Sequence, residues 1–384
     1  MALAILVVGG CLALVVDSLW LKVAHRELQT AADAAVLGAA GELASDARLS
    51  ADYDTQELAT AVRQQAAHVA AGNTAGGQSV RIDSLVEGDV HLGKIVTDSN
   101  GLDVFLETDV QPTSVVLFAH CRRQYGNPVP LFFPQFTGQP AADLTCRAEA
   151  SIDPHVVGVR PLDQANVPAL PLAVMELHSD PRRLDTWAVQ IEARRGRDQY
   201  RFNAETGEVE LGSDGIPEIV LHSTERGSEE EEEKRGNVQL VDLGTGLRVM
   251  ELDRQIHHGW NWRDLQEYGS EFRLDQGTVR LQGTERIEGP LVDDLRDMIG
   301  HSRIVLLYRA AGPAGADGLT HAEISRFAAG RIMDVRPSER TLELVLQPAV
   351  VATRTALTAD SSATNTATNT NSPNPYLYRL SLTY

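Results

Sequence analysis

Few residues in this chain have the types and spacing that chemistry requires. His257 and His258 suggest a metal, yet neighbours on a helix point about 100° apart and cannot readily face one ion together. Asp98-Ser99-Asn100-Gly101-Leu102-Asp103 resembles a fragment of a calcium loop but lacks the distal bidentate Glu, so a hairpin turn explains it better. Residues 228–235, SEEEEEKR, concentrate carboxylates without the Gly or Asn of a calcium loop and read as a solvated surface loop. The signatures G-x-x-x-x-G-K-[ST], H-E-x-x-H, C-x-x-C and G-x-S-x-G are all missing. Acidic residues are too numerous for an acid-base pair to be chosen. No catalytic residue, cofactor or metal ligand is therefore expected.

Composition narrows the classes further. With 384 residues, 43% hydrophobic and 23% charged, the chain can form more than one domain and is not disordered throughout. Its formal charge of -19 would repel a phosphate backbone, which excludes nucleic acid as a partner. Three cysteines are too few for a disulfide-dense scaffold or a four-cysteine zinc site.

Positioning begins with the N-terminal segment, where Ala2 to Val16 carries no charge and the apolar run reaches Leu21 if Asp17 and Ser18 are tolerated. Twenty residues of helix span about 30 Å, the thickness of a hydrocarbon core. Asp17 must then sit at or near the interface, and Trp20 suits the headgroup belt. Two rival readings are a cleaved secretory signal, which would want a basic start, and a lipoprotein signal ending at Cys11, after which the sequence stays apolar. An uncleaved anchor over residues 1–21 fits best. Lys22, His25 and Arg26 flank its C-terminal end, which alone would place that side in the cytoplasm.

Residues 22–73 read as a helical stalk. Alanine dominates to residue 43 without proline, and Leu28, Ala31, Ala35 and Ala39 form a small-residue stripe. That stripe serves either a second helix or the chain's own domain. Asp54 and Glu57 resemble a capping box, opening a second helix that ends at Gly72-Asn73. A β-rich domain follows over 79–156, with a hairpin region over 157–227, the acidic loop, and an α+β domain over 236–357. Helices are expected around Val249 to Ile256, after Asn261, and from Pro290, while TWAVQIEA, HAEISRFA and GRIMDV read as separate strands. Residues 358–375 read as a disordered linker and 376–384 as a terminal strand. The fold class is α+β, with a transmembrane helix and helical stalk before a largely antiparallel β-rich body that carries a few short helices. Cys121 and Cys146 lie on successive strands, where antiparallel pairing could join them in a disulfide or leave two separate buried thiols.

Val16-Asp17 followed by RELQTAADAAVLGAA over residues 26–40 resembles the N-terminal segment of TadG-like proteins of the bacterial Tad (Flp pilus assembly) system. Asp17, Arg26, Leu28, Gln29, Ala32, Asp33 and Ala35 carry the likeness. The Val-rich strands, Phe-bearing loop and Ala-rich strand up to residue 152 resemble the same pattern, as does the order of segments in the C-terminal half. The resemblance implies an inner-membrane anchor with a periplasmic body, acting in pilus assembly or surface attachment through other assembly proteins or pilins. A basic start lost upstream of Met1 would reconcile this orientation with the flanking charges. The Asp-x-Ser-x-Ser metal motif of some members is missing. Gly9 and Gly10 are followed at the fifth position by Leu14 and Val15 rather than Glu, so prepilin-type processing is not expected. The alternative is a membrane-anchored periplasmic hydrolase or carbohydrate-binding protein with carboxylates in a cleft.

Overall fold

Alanine-rich sequence without a proline gives a single helix, α1 (Ala2–Glu42), of 41 residues. At 1.5 Å per residue it is about 60 Å long, twice what a bilayer core needs. The computed structural model describes residues 2–98, 100–223, 236–287, 289–311, 319–337, 342–359 and 373–383, and of residues 2–6, 310, 311 and 337 only the backbone. The acidic loop 228–235, most of the linker 358–375 and Tyr384 lie outside the described residues.

The chain divides into two units: residues 1–45, 54–152 and 380–384 form the first, and residues 46–53 and 153–379 the second. In the first unit, α2 (Thr55–Ala71) starts where the Asp54 carboxylate accepts the Gln56 N–H at 2.8 Å, as the capping pattern predicts. Its buried face, Leu58, Val62, Ala66 and Ala70, meets α1. Small residues permit the close approach: a Cβ on Gly38 of α1 would stand 3.0 Å from Val69 Cγ2. Both helices lie on an antiparallel sheet containing Leu144–Asp153, Ser114–Cys121, Val90–Thr97 and Asp103–Glu107 in that order. The last two strands are joined by a turn in which Asp98 accepts the Asn100 and Leu102 N–H groups, so the calcium-like hexapeptide is a hairpin. A second hairpin pairs Val129–Pro130 with Ala141–Ala142 and carries one helical turn, α3 (Pro134–Thr137), at its tip.

The second unit is built on a seven-stranded sheet in which Ser302–Ala311 bonds both Ala169–Met175 and Thr320–Pro337, closing five strands into a ring. Only the pairing of Ala169–Met175 with Ser302–Ala311 is parallel within it. Two helices, α4 (Val249–His258) and α5 (Pro290–Asp297), pack against each other, and α4 also meets Ala169–Met175. The core contains Trp187, Trp260, Phe272 and Tyr308, all fully buried. Trp260, Tyr268 and Phe327 each meet Phe272 edge-on.

Several local expectations change. Residues 320–337 form one strand rather than two, because Gly330 is a close-approach position and not a turn. A Cβ there would lie 2.7 Å from Leu346 Cγ. TWAVQIEA is a π-helical turn over Ala188–Glu192, with Trp187 and Ile191 buried at a spacing of four. SVRIDSLV yields only Gln78–Ser79 and a bridge from Arg81 to His120, since Asp83 turns the chain by accepting the Leu85 N–H. Asn261 caps a turn, accepting the Arg263 N–H, and only the 3₁₀ turn Gln266–Tyr268 follows.

Candidate functional site

The polar positions of α1 dock it onto the first unit. Buried residues Ala13, Asp17, Ala24, Leu28, Ala31, Ala32, Ala35 and Ala39 lie on one face of the helix, with half-buried Trp20 and Leu21 between Asp17 and Ala24. Asp17, placed by sequence at a membrane interface, is buried on that face, and its Oδ1 accepts the Phe132 N–H at 2.9 Å. Its Oδ2 has no hydrogen-bond partner among the described residues. One turn on, the Trp20 indole N–H donates to the Pro130 carbonyl at 3.0 Å and its ring lies 5.3 Å from Phe132. Leu21 is half-buried, while Val16 is exposed beside that face. Ala2 begins the helix.

Beyond Asp17 the contacts continue. The Glu27 carboxylate accepts the Gly76 N–H at 2.8 Å, at a glycine with φ of 56° whose Cβ would strike Val129 at 2.7 Å. The Gln29 amide donates both to Asp33 at 2.8 Å and to the Arg147 carbonyl at 3.1 Å, tying α1 to the strand Leu144–Asp153. Leu28, Ala32 and Ala35 are fully buried, and Arg26 is exposed. The small-residue stripe thus packs on its own domain. Of the expected family-motif residues, Leu28, Gln29, Ala32 and Ala35 share the docked surface, Asp33 completes the Gln29 bond, and Arg26 stays outside.

Cys121 and Cys146 are two free, buried thiols rather than a disulfide. Cys146 stands opposite Ala119 and Cys121 opposite Leu144, so the thiols are diagonal neighbours on adjacent strands, about 7–8 Å apart at Cα. A disulfide needs Cβ atoms about 3.5–4.5 Å apart. The Cys146 sulfur instead lies 3.3 Å from His25 Nδ1, and burial, with Asp33 and Cys121 adding to it, pushes the thiol up to about 11. Cys11 is exposed on α1.

In the second unit, α4 and α5 bring Asp253, His257 and Asp294 together, with one ligand atom of each within 4.8 Å of the others. This group could hold a divalent ion, and the D-x-x-x-H spacing over one helical turn of α4 was the signal for it. His257 Nδ1 already bonds the Asp253 carboxylate at 2.8 Å. Burial disfavours the imidazolium, but the Asp253 carbonyl and carboxylate outweigh it and raise the histidine above its ordinary value. His258 is exposed, its ring 6.3 Å from that of His257 and tilted by 51°, so the adjacent pair does not converge. Elsewhere in this unit a cleft of about 280 Å³ is lined by Val156, Leu274, Asp275, Arg309, Ser325 and Asn374 among others. Its one lining carboxylate, Asp275, is bidentate to Arg273, which holds it below the usual carboxylate range. Such a group cannot serve as a proton donor near neutrality.

The family model described as putative Flp pilus-assembly TadE/G-like matches residues 1–42. That span takes in the whole of α1, including every docking residue named above. No curated protein and no solved structure matches the chain.

Proposed function

We propose that the protein is a non-enzymatic component of Flp/Tad pilus assembly, anchored in the bacterial inner membrane by the first half of α1, with its body in the periplasm. It acts through contacts with other assembly proteins or pilins. The observation that supports this reading is the division of α1 at Asp17. Before it, Val8, Leu12 and Val15 are exposed, with no charged side chain to solvate. Beyond it, one face of the helix packs into a protein core. Exposed apolar surface of that extent on one helix suits lipid, and among the described residues α1 is the one helix long and apolar enough to cross a bilayer. The family match over the same residues supports a role for the anchor in pilus assembly.

Alkaline phosphatase fused to the C-terminus is expected to be active, and a fluorescent protein that folds only in the cytosol is expected to stay dark. The inverse pattern would reject the periplasmic placement. Deleting the chain is expected to abolish surface fibres, and unchanged fibres would reject the assembly role.

A further inference from the structure

The hairpin that carries α3 lies alongside the membrane half of α1. Its Phe132 N–H bonds Asp17, and the Phe136 ring lies 3.4 Å from where a Cβ on Gly10 would be. Asp17 and Gly10 are seven residues apart, which is about 10 Å along a helix. The tip therefore reaches about 10 Å past the boundary carboxylate, beside sequence without a charge. We propose that residues 131–138 form a second membrane element, inserting Phe132 and Phe136 into the acyl region of the leaflet that faces the body. This rests on the anchor reading of α1.

Three further observations on the hairpin fit lipid. Phe132 is 59% and Phe136 45% exposed. No charged residue lies between Arg123 and Asp143. A non-helical backbone at membrane depth must satisfy its own polar groups, and most of the N–H groups of this one have a partner. The Leu131 N–H donates to Pro140, Phe136 and Thr137 to Phe133, Gly138 to Pro134, and Gln139 to the Thr137 hydroxyl. Pro134 and Pro140 have no N–H to satisfy. Trp20, bonded to the stem, then lies at headgroup depth, where an amphipathic ring is favoured.

The test uses the full chain in phosphatidylcholine vesicles, with Cys11→Ser removing the exposed thiol. A nitrobenzoxadiazole label is placed at Leu12→Cys, Phe132→Cys or Phe136→Cys in separate variants; Cys121 and Cys146 are buried and stay unlabelled. Spin labels on the lipid acyl chain are expected to quench positions 132 and 136 at least half as strongly as position 12, with iodide in the water having little effect. If position 12 is quenched by lipid while 132 and 136 are quenched by iodide, the hairpin proposal is overturned and the anchor stands. Lipid quenching at none of the three overturns both. Hairpin labels shielded from lipid and iodide alike would show a protein occupant and overturn insertion. Labelling two hairpin positions separately keeps the test valid if one variant fails to fold.

Discussion

Glu218 should make the second unit lose stability as the pH rises through neutrality. The side chain is 1% exposed, and its Oε1 accepts the Gln199 and Tyr200 N–H groups, each at 2.8 Å. Burial pushes its carboxyl up to about 7; those N–H bonds pull the other way, and the charges of Asp198 and Asp214 add to the rise. Between its ordinary value of 4.5 and about 7, the folded chain holds a proton that the unfolded chain has released. The resulting stabilisation is fully present below 4.5 and is lost as the pH passes about 7. That gap is worth about 3 kcal/mol. In Glu218→Gln the amide oxygen can keep both backbone N–H bonds and the side chain never ionises. Urea unfolding of both proteins at about pH 4.5 and about pH 8.5, followed by tryptophan fluorescence, isolates the effect as a difference of differences. Trp187 and Trp260, fully buried in the same unit, report its unfolding. Wild type should lose about 3 kcal/mol relative to the variant across this range. Parallel pH curves for the two proteins would refute the assignment.

Leu28→Ala, at a fully buried position between α1 and the body, should cost the first unit about 2–5 kcal/mol in denaturant unfolding. Gly76→Ala should cost about 1–3 kcal/mol, combining a left-handed φ with the Val129 clash, and should speed proteolysis near the α1 contact. The stabilising charge on His257 is present below the ordinary histidine value and is lost as the pH rises through its raised folded value. His257→Gln should therefore flatten the melting temperature against pH in that window, and an unchanged profile would show that the Asp253 contact contributes nothing.

Local patterning made much of the fold legible. The proline-free alanine run, the Asp54 cap and the Asn100-Gly101 turn each encode their structure within a few residues, so α1, α2 and the first hairpin could be read directly. What failed to show depended on distant partners. Gly330 looks like a strand break until Leu346 is seen against it, and Asp83 ends a strand by a side-chain turn that competes with alternation. The site was legible as a set of residues but not as an arrangement. Asp17 was marked by its charge in an apolar run, yet its partner is 115 residues away. The spacing of Ala13, Asp17, Ala24 and Leu28 at multiples of a helical turn was the available sign that it faces protein.

Because α1 is one uninterrupted rod that runs from the apolar N-terminal segment into the packed part of the first unit, the anchor cannot act as a tether. Any tilt imposed on the rod by bilayer thickness or a neighbouring protein must turn the first unit by the same angle, since no hinge separates them. Trimming the chain before Glu42 to obtain a soluble fragment would strip away Leu28, Ala32, Ala35 and Ala39 and leave the sheet without its cover. For this protein, solubilisation means detergent rather than scissors.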